Sequence, residues 1–278
     1  MDEKVYGWWL PPDVSVHGAK IDQLINVIHW FALALFVGWG AFFIYCLIKF
    51  RARPGHAALY APVKAVATKY IEAFVVVEVF LLFGLSTPVW LAYKNSAPDE
   101  KSALHVKIVA EQFAWNFHYA GKDGKFGATK AELISADNPV GLDPDDAAGK
   151  DDIITVNQFH IPVHKPVIVE VTTKDVIHSF NIPVLRVKQD TIPGQDIPVW
   201  FEATQTGHFE LACAQLCGLG HYRMRADVLI DSPEDFAKWE AENAPPPQEA
   251  PAAAAPEAPA PAPTPAPTPA PAPAPEKK

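Results

Sequence analysis

Cysteine is scarce in this chain of 278 residues: there are three. Three thiols cannot supply the paired framework that holds small secreted scaffolds together. One of them, Cys46, sits in an apolar helical run and reads as a small packing residue. Methionine is rarer still, with two. Positive charge is in deficit as well. The formal net charge of -9 argues against nucleic acid and for a cationic partner. The start, Met1-Asp-Glu-Lys-Val-Tyr, lacks the basic n-region of a secretory leader, and the first apolar run begins too late and runs too long for one. No Cys-x-x-Cys-His occurs, so no c-type haem is expected.

Long apolar runs are present. Residues 24–48 contain no Asp, Glu, Lys or Arg, and a second run covers 71–93. About 20 apolar residues span a bilayer as a helix, so each run predicts a membrane span. The segment between them carries Lys49, Arg51, Arg53, Lys64 and Lys69 and no acid. The positive-inside rule places it in the cytoplasm, with both termini on the opposite side. Trp8, Trp9, Trp90 and Tyr93 suit the outer interface as aromatic anchors. Two acids interrupt the second run. Glu72 is near its cytoplasmic end, where it either snorkels to water or serves a function. Glu78 lies ~9 Å deeper at helical rise and is expected to face a partner helix.

The remaining two cysteines fall in Cys213-Ala-Gln215-Leu-Cys217-Gly-Leu-Gly-His221-Tyr-Arg-Met224. Two thiolates, an imidazole and a thioether in twelve residues form a compact soft-metal loop. A blue-copper site uses one Cys, two His and a weak axial Met. Here the Cys is doubled, and two bridging thiolates can hold two copper ions close enough to share one electron. A Cys213–Cys217 disulfide is the rival reading, but it leaves His221 and Met224 unexplained. A second His comes from Asp175-Val-Ile-His178-Ser-Phe, which follows the alternating strand pattern Val167-Ile-Val-Glu-Val-Thr172.

With these residues in place, 153–230 resembles the copper A domain of cytochrome c oxidase subunit II. The spacing from His178 to Cys213, the segment Val187-Lys-Gln-Asp190-Thr-Ile-Pro193-Gly194 and the Cys-x-x-x-Cys-x-x-x-His-x-x-Met loop all fit that family. The resemblance extends to the two apolar runs and fails over an insertion and the tail. It implies a two-helix transmembrane hairpin followed by an all-β cupredoxin-like sandwich, anchored in a bacterial inner membrane with the copper domain in the periplasm. The expected divisions are a periplasmic segment 1–23, the hairpin 24–95, the copper domain 96–243 and a disordered Pro/Ala tail 244–278, which holds half of the 28 prolines.

The resemblance also implies roles. Cys213 and Cys217 bridge both coppers, His178 and His221 bind one copper each, Met224 is a weak axial ligand, and the Gln215 carbonyl completes the other copper. Most relatives have Glu at that position, whose carboxylate reaches a magnesium shared with subunit I, so Gln215 puts magnesium binding in doubt. Glu72 matches a Glu at the entrance of the K-type proton channel of subunit I. Phe113 stands where relatives place the Trp that admits electrons from cytochrome c, with Trp115 two residues on. The implied partners are subunit I, subunit III, a periplasmic cytochrome c or copper protein, and the lipid bilayer.

Elsewhere in the soluble part, Ala103–Ala110 reads as a strand, and Glu111–Tyr119 continues it with aromatics at alternate positions. Residues 121–152 read as a surface insertion whose acids Asp137, Asp143, Asp145, Asp146, Asp151 and Asp152 either are merely solvated or steer a basic donor. Ser232 and Pro233 mark a helix start. Two other functions compete. A copper A subunit of a membrane nitric oxide reductase shares these features and differs in its partner. A Sco-type copper chaperone or thiol oxidoreductase also carries Cys-x-x-x-Cys, but on a thioredoxin-like fold with the pair at a helix start. A quinol oxidase subunit is disfavoured, because that branch lacks the copper ligands.

Overall fold

The computed structural model describes residues 10–55, 57 and 65–245. The expectations for Trp8, Trp9 and Lys64, and for the Pro/Ala tail from 246 onward, lie outside the described residues.

Two helical rods come first. Helix α1 covers Gly18–Lys49. The second rod joins α2 (Ala65–Val79), a π-helical segment (Phe80–Ser86) and α3 (Thr87–Asn95). Both rods are long and apolar enough to cross a membrane. Each exceeds its expected span of 24–48 or 71–93, because polar residues at the ends remain helical. Ser15 explains the early start of α1: its hydroxyl accepts the Gly18 N–H at 3.0 Å and satisfies one of the donors a helix N-terminus leaves open. The π segment precedes Pro88, which cannot donate a backbone bond. The Ser86 and Thr87 hydroxyls add bonds to the carbonyls of Leu81 (3.2 Å) and Leu82 (3.0 Å). Phe31 of α1 stacks on Phe74 of α2, with ring centroids 6.2 Å apart.

Among the described residues ten strands follow: β1 (Leu104–Glu111), β2 (Ala114–Tyr119), β3 (Ile153–Val156), β4 (Gln158–Pro162), β5 (Pro166–Thr173), β6 (His178–Ile182), β7 (Val187–Thr191), β8 (Ile197–Glu202), β9 (Gly207–Ala212) and β10 (Arg225–Asp231). They form a five-stranded sheet in the order β3-β2-β1-β5-β8, a three-stranded sheet β4-β10-β9 and the hairpin β6-β7. β1 runs parallel to β5, and β4 parallel to β10; the other pairs are antiparallel. Alternation drives this layering: β5 buries every second residue, so Val167, Val169 and Val171 face the core. The core is aromatic in its middle. Phe117 stacks on Phe159 at 4.7 Å, and Phe180 and Phe201 close around Phe159.

Residues 103–119 are not one extended strand. They fold as a β1–β2 hairpin with Glu111 opposite Ala114, so only Gln112 and Phe113 make the turn. No Gly, Pro or Asn marks it, because distant groups hold it. The Gln112 N–H donates to the Asp175 carboxylate at 2.7 Å, and its side-chain amide donates to the Cys217 carbonyl at 2.6 Å.

The insertion is not a loose surface loop. It covers the outer side of β2, so both faces of that strand are buried. His118 meets Asp152 at 2.5 Å, with both side chains sealed from solvent. The Asp152 carboxylate also accepts N–H groups of Gly121 (3.2 Å) and Gly127 (2.8 Å). Asp146 accepts the N–H groups of Ala128 and Ala148, which hold its carboxyl below the usual range. Asp143 is held low in the same way, chiefly by Lys130 at 2.5 Å. Asp151 accepts the Asp123 N–H. Four of the six named acids are thus spent on the loop's own structure, and neither the merely solvated cluster nor the free steering patch describes them.

Helix α4 (Pro233–Asn243) closes the domain. Its cap is Ser232, which accepts the Asp235 N–H at 3.1 Å, as expected from the sequence. Trp239 of α4 stacks on His160 at 4.4 Å.

Candidate metal centre

The loop between β9 and β10 carries both cysteines. It is closed at its base by the Cys213 N–H donating to the Met224 carbonyl (3.0 Å) and tied to β6 by the Ala214 N–H donating to the Ser179 carbonyl (3.1 Å). His178 opens β6 at the same end of the sandwich. Folding thereby brings together six groups that the sequence spreads over 47 positions, from His178 to Met224.

The two sulfurs lie 3.8 Å apart as free thiols. His178 Nδ1 is 4.0 Å from Cys213 Sγ, and His221 Nδ1 is 3.7 Å from Cys217 Sγ. The Gln215 carbonyl is 3.1 Å from Cys213 Sγ, and Met224 Sδ is 3.7 Å from Cys217 Sγ. His178, Cys213 and Cys217 offer ligand atoms all within 4.8 Å of one another, and all three are buried. Each sulfur has its own imidazole nitrogen and one further weak donor. Soft thiolates with imidazole and thioether select copper or zinc over hard cations. The thioether and the doubled pairing favour copper.

Burial pushes the Cys217 thiol up to about 11, with the neighbouring Cys213 thiol adding to the rise. A metal must displace protons to bind here.

Two supporting groups escaped the sequence reading. Asp175 Oδ1 lies 2.8 Å from His178 Nε2, which turns Nδ1 toward the sulfurs. A carboxylate behind a ligating imidazole fixes its tautomer and orientation. Burial alone would raise the Asp175 carboxyl, but hydrogen bonds from His178 and from the Gln112 and Val176 N–H groups outweigh it and hold it low. The signal was present, three residues before His178. Gln112, which fixes the Cys217 carbonyl, gave none.

The structure separates the two aromatics that sequence put together. Trp115 is fully buried beneath the site, edge-on to His178 with centroids 6.2 Å apart. Phe113 instead lies against the loop itself: a Cβ added to Gly220 would come within 2.4 Å of its ring. Around it the loop exposes Leu216 (77%), Leu219 (96%) and Tyr222 (86%). Glu72 is not part of this site. It stands exposed on α2, as does Glu78.

The chain is 34% identical over 233 residues to the alternative cytochrome c oxidase subunit 2 of Bradyrhizobium diazoefficiens, covering 84% of this chain and 82% of that one. The chain belongs to the cytochrome c oxidase subunit II family. The family model for the subunit II periplasmic domain matches residues 104–231, from the first strand to the last, and so contains all six donors. Subunit 2 of the Synechocystis oxidase is 28% identical over 263 residues, covering 87% of this chain and 78% of that one. The solved periplasmic domain of subunit II from Bradyrhizobium japonicum is 30% identical and is covered to 96% by 53% of this chain, at a TM-score of 0.39. As a subunit II the chain is an oxidoreductase component. Its helices and sandwich are those of a membrane-anchored member with a cupredoxin-like domain.

Proposed function

We propose that this subunit II is the electron-input subunit of a haem-copper terminal oxidase, with a binuclear copper A centre held by His178, Cys213, Gln215, Cys217, His221 and Met224. One observation carries the reading: two free thiols 3.8 Å apart, each with its own imidazole Nδ1 within 4.0 Å. When bound, the copper pair supplies a one-electron couple shared over two metals, so bond lengths change little on transfer. The chain's residues supply the rest. The Cys213 and Cys217 sulfurs would hold both metals. Asp175 and the Gln112 amide hold His178 and the Cys217 carbonyl in place before metal arrives. Burial keeps bulk water from the thiolates.

With copper bound, the centre would take electrons from a periplasmic cytochrome c or copper protein and pass them to haem in subunit I, the site of proton-coupled oxygen reduction. Phe113 packs against Gly220 of the exposed loop, so it serves as a contact toward the donor. Trp115 cannot meet a donor directly, since it is fully buried. The basic segment after α1 supports an orientation with both termini and the sandwich on the periplasmic side, which would put Glu72 on the proton-uptake side. Gln215 offers a carbonyl and a neutral amide, which makes a poor magnesium ligand compared with a carboxylate. A Sco-type reading needs the Cys pair at a helix start, whereas here it lies between β9 and β10.

The test is the purified membrane complex. Two coppers per chain are expected beyond the copper of the haem-copper partner, with a seven-line hyperfine pattern in electron paramagnetic resonance, since one electron is shared by two equivalent nuclei. A four-line spectrum with one copper per chain sinks the binuclear assignment. A co-purifying partner that reduces nitric oxide and not oxygen sinks the oxidase assignment.

A further inference from the structure

The junction between helices and sandwich is fastened by side chains as well as by chain continuity. The segment ahead of α1 lies along the sandwich edge. The Val14 N–H donates to the Val184 carbonyl (2.9 Å), the Val16 N–H to Glu202 (3.2 Å), and the Thr204 N–H to Val14 (2.8 Å). Arg186 locks this segment to the helix. Its Nε and Nη2 donate to the two oxygens of Asp22 at 2.7 and 2.8 Å, a bidentate fork onto the second turn of α1. Nη2 also donates to the Pro11 carbonyl (2.7 Å), and Nη1 to Pro12 (3.4 Å) and Pro183 (2.6 Å). One guanidinium, its side chain 7% exposed, therefore joins α1, the incoming segment and the turn before β7.

The second rod is fastened too. Tyr93 of α3 stacks on Trp200 of β8 at 4.9 Å and 12°. The Tyr93 hydroxyl donates to the Trp200 carbonyl, and the Trp200 indole N–H donates to the Tyr93 carbonyl at 3.2 Å. Arg186 sits in the turn of the β6–β7 hairpin, whose open end carries the donor His178 opposite Thr191. Arg186 also holds a left-handed backbone, φ 54°, which glycine would adopt more cheaply. A strained conformation kept with a buried, fully engaged side chain points to a role for that side chain.

We propose that Arg186, acting through Asp22, is a positioning residue that fixes the height and tilt of the metal loop over the membrane. It thereby sets the rate at which an electron leaves toward the membrane-embedded acceptor. The electron-transfer half of this inference rests on the copper reading above. Electron tunnelling falls steeply with separation, so a sandwich rocking on two helices would spend time at distances where transfer is slow. A lysine cannot replace the fork, because a single ammonium does not span both carboxylate oxygens and the Pro11 carbonyl.

The experiment uses the purified membrane complex with Arg186→Lys and, separately, Asp22→Asn, which is isosteric and keeps the test readable if the first variant does not assemble. Three readings are taken: amide hydrogen exchange at Val14, Val16 and Thr204; the rate of copper reduction by a soluble donor; and the rate of onward transfer to the acceptor. Exchange at the three amides is expected to rise about tenfold, as local opening becomes easier without the charge-assisted bonds. Copper content and reduction by the donor stay unchanged, while onward transfer slows severalfold. Faster exchange with unchanged onward transfer overturns the positioning role, and unchanged exchange in both variants overturns the clamp. A wild-type complex with no copper in this chain would instead refute the reading of the site, and the exchange comparison would still decide whether the pair holds the domain.

Discussion

Asp175 Oδ1 sits 2.8 Å from His178 Nε2 and leaves Nδ1 of the same ring facing Cys213 Sγ at 4.0 Å. The carboxylate selects which nitrogen is offered to a metal. It is also held low by its hydrogen bonds, which favour its charged form. Asp175→Ala should weaken copper binding by about 10- to 100-fold, the usual effect of losing such a partner. Asp175→Asn should lose less. Copper titration of the two variants, followed by the charge-transfer band, measures both; equal affinity in wild type and Asp175→Ala would refute the orienting role.

Metal uptake should depend on pH through the thiols. Burial, then Cys213, raises Cys217 to about 11 from an ordinary 9.0. Copper must expel that proton, so apparent affinity should fall as pH falls, by about tenfold per unit for each proton displaced. The apoprotein follows the opposite trend. The unfolded chain loses its thiol proton at lower pH than the folded one, so apo stability is retained below 9.0 and is lost as pH rises through about 11. Melting curves of the copper-free chain at pH 8 and above check the second sign; a melting temperature that rises there contradicts it.

Phe113 and Gly220 should act together. A methyl at Gly220 would lie 2.4 Å from the Phe113 ring, closer than atoms can approach, so Gly220→Ala must displace the ring. Phe113→Ala should slow reduction of the centre by its soluble donor while the copper spectrum stays intact. Gly220→Ala should slow it comparably, with a small spectral change because the loop carries two ligands beside it. Stopped-flow reduction tests both, and wild-type rates in Phe113→Ala would move electron input elsewhere.

The buried His118–Asp152 pair should anchor the insertion. Removing one partner of a buried pair costs about 3 kcal/mol or more, and Asp152 also holds two backbone N–H groups. Asp152→Ala should therefore lower thermal stability and open the insertion to trypsin at Lys122, Lys125 and Lys130. Unchanged melting and digestion would show that the loop is held by other contacts.

Glu72→Gln should slow turnover and proton uptake in the assembled complex, leaving copper reduction by the donor unaltered. Normal turnover in this variant, with a defect in Glu78→Gln, would transfer the role to Glu78.

Much of this protein is written locally. The two apolar runs announce helices because every residue contributes the same signal. β5 is legible because Val167, Val169 and Val171 repeat at the period of a strand. The metal loop is legible because five of the six donors lie in one stretch with fixed spacing. Local pattern does not reach the β1–β2 turn, which is held by Asp175 and the Cys217 carbonyl, 63 and 105 residues away. Nor does it reach the insertion: its aspartates look like a solvated charge cluster until backbone N–H groups and His118 meet them in space. Arg186 reads as an ordinary cation, yet its partner Asp22 lies 164 positions earlier. A hydrogen bond depends on distance in space, and separation along the chain says nothing of that distance. The sequence therefore determined the elements and the donor set, and only the tertiary structure decided which groups orient the donors and hold the domain to its helices.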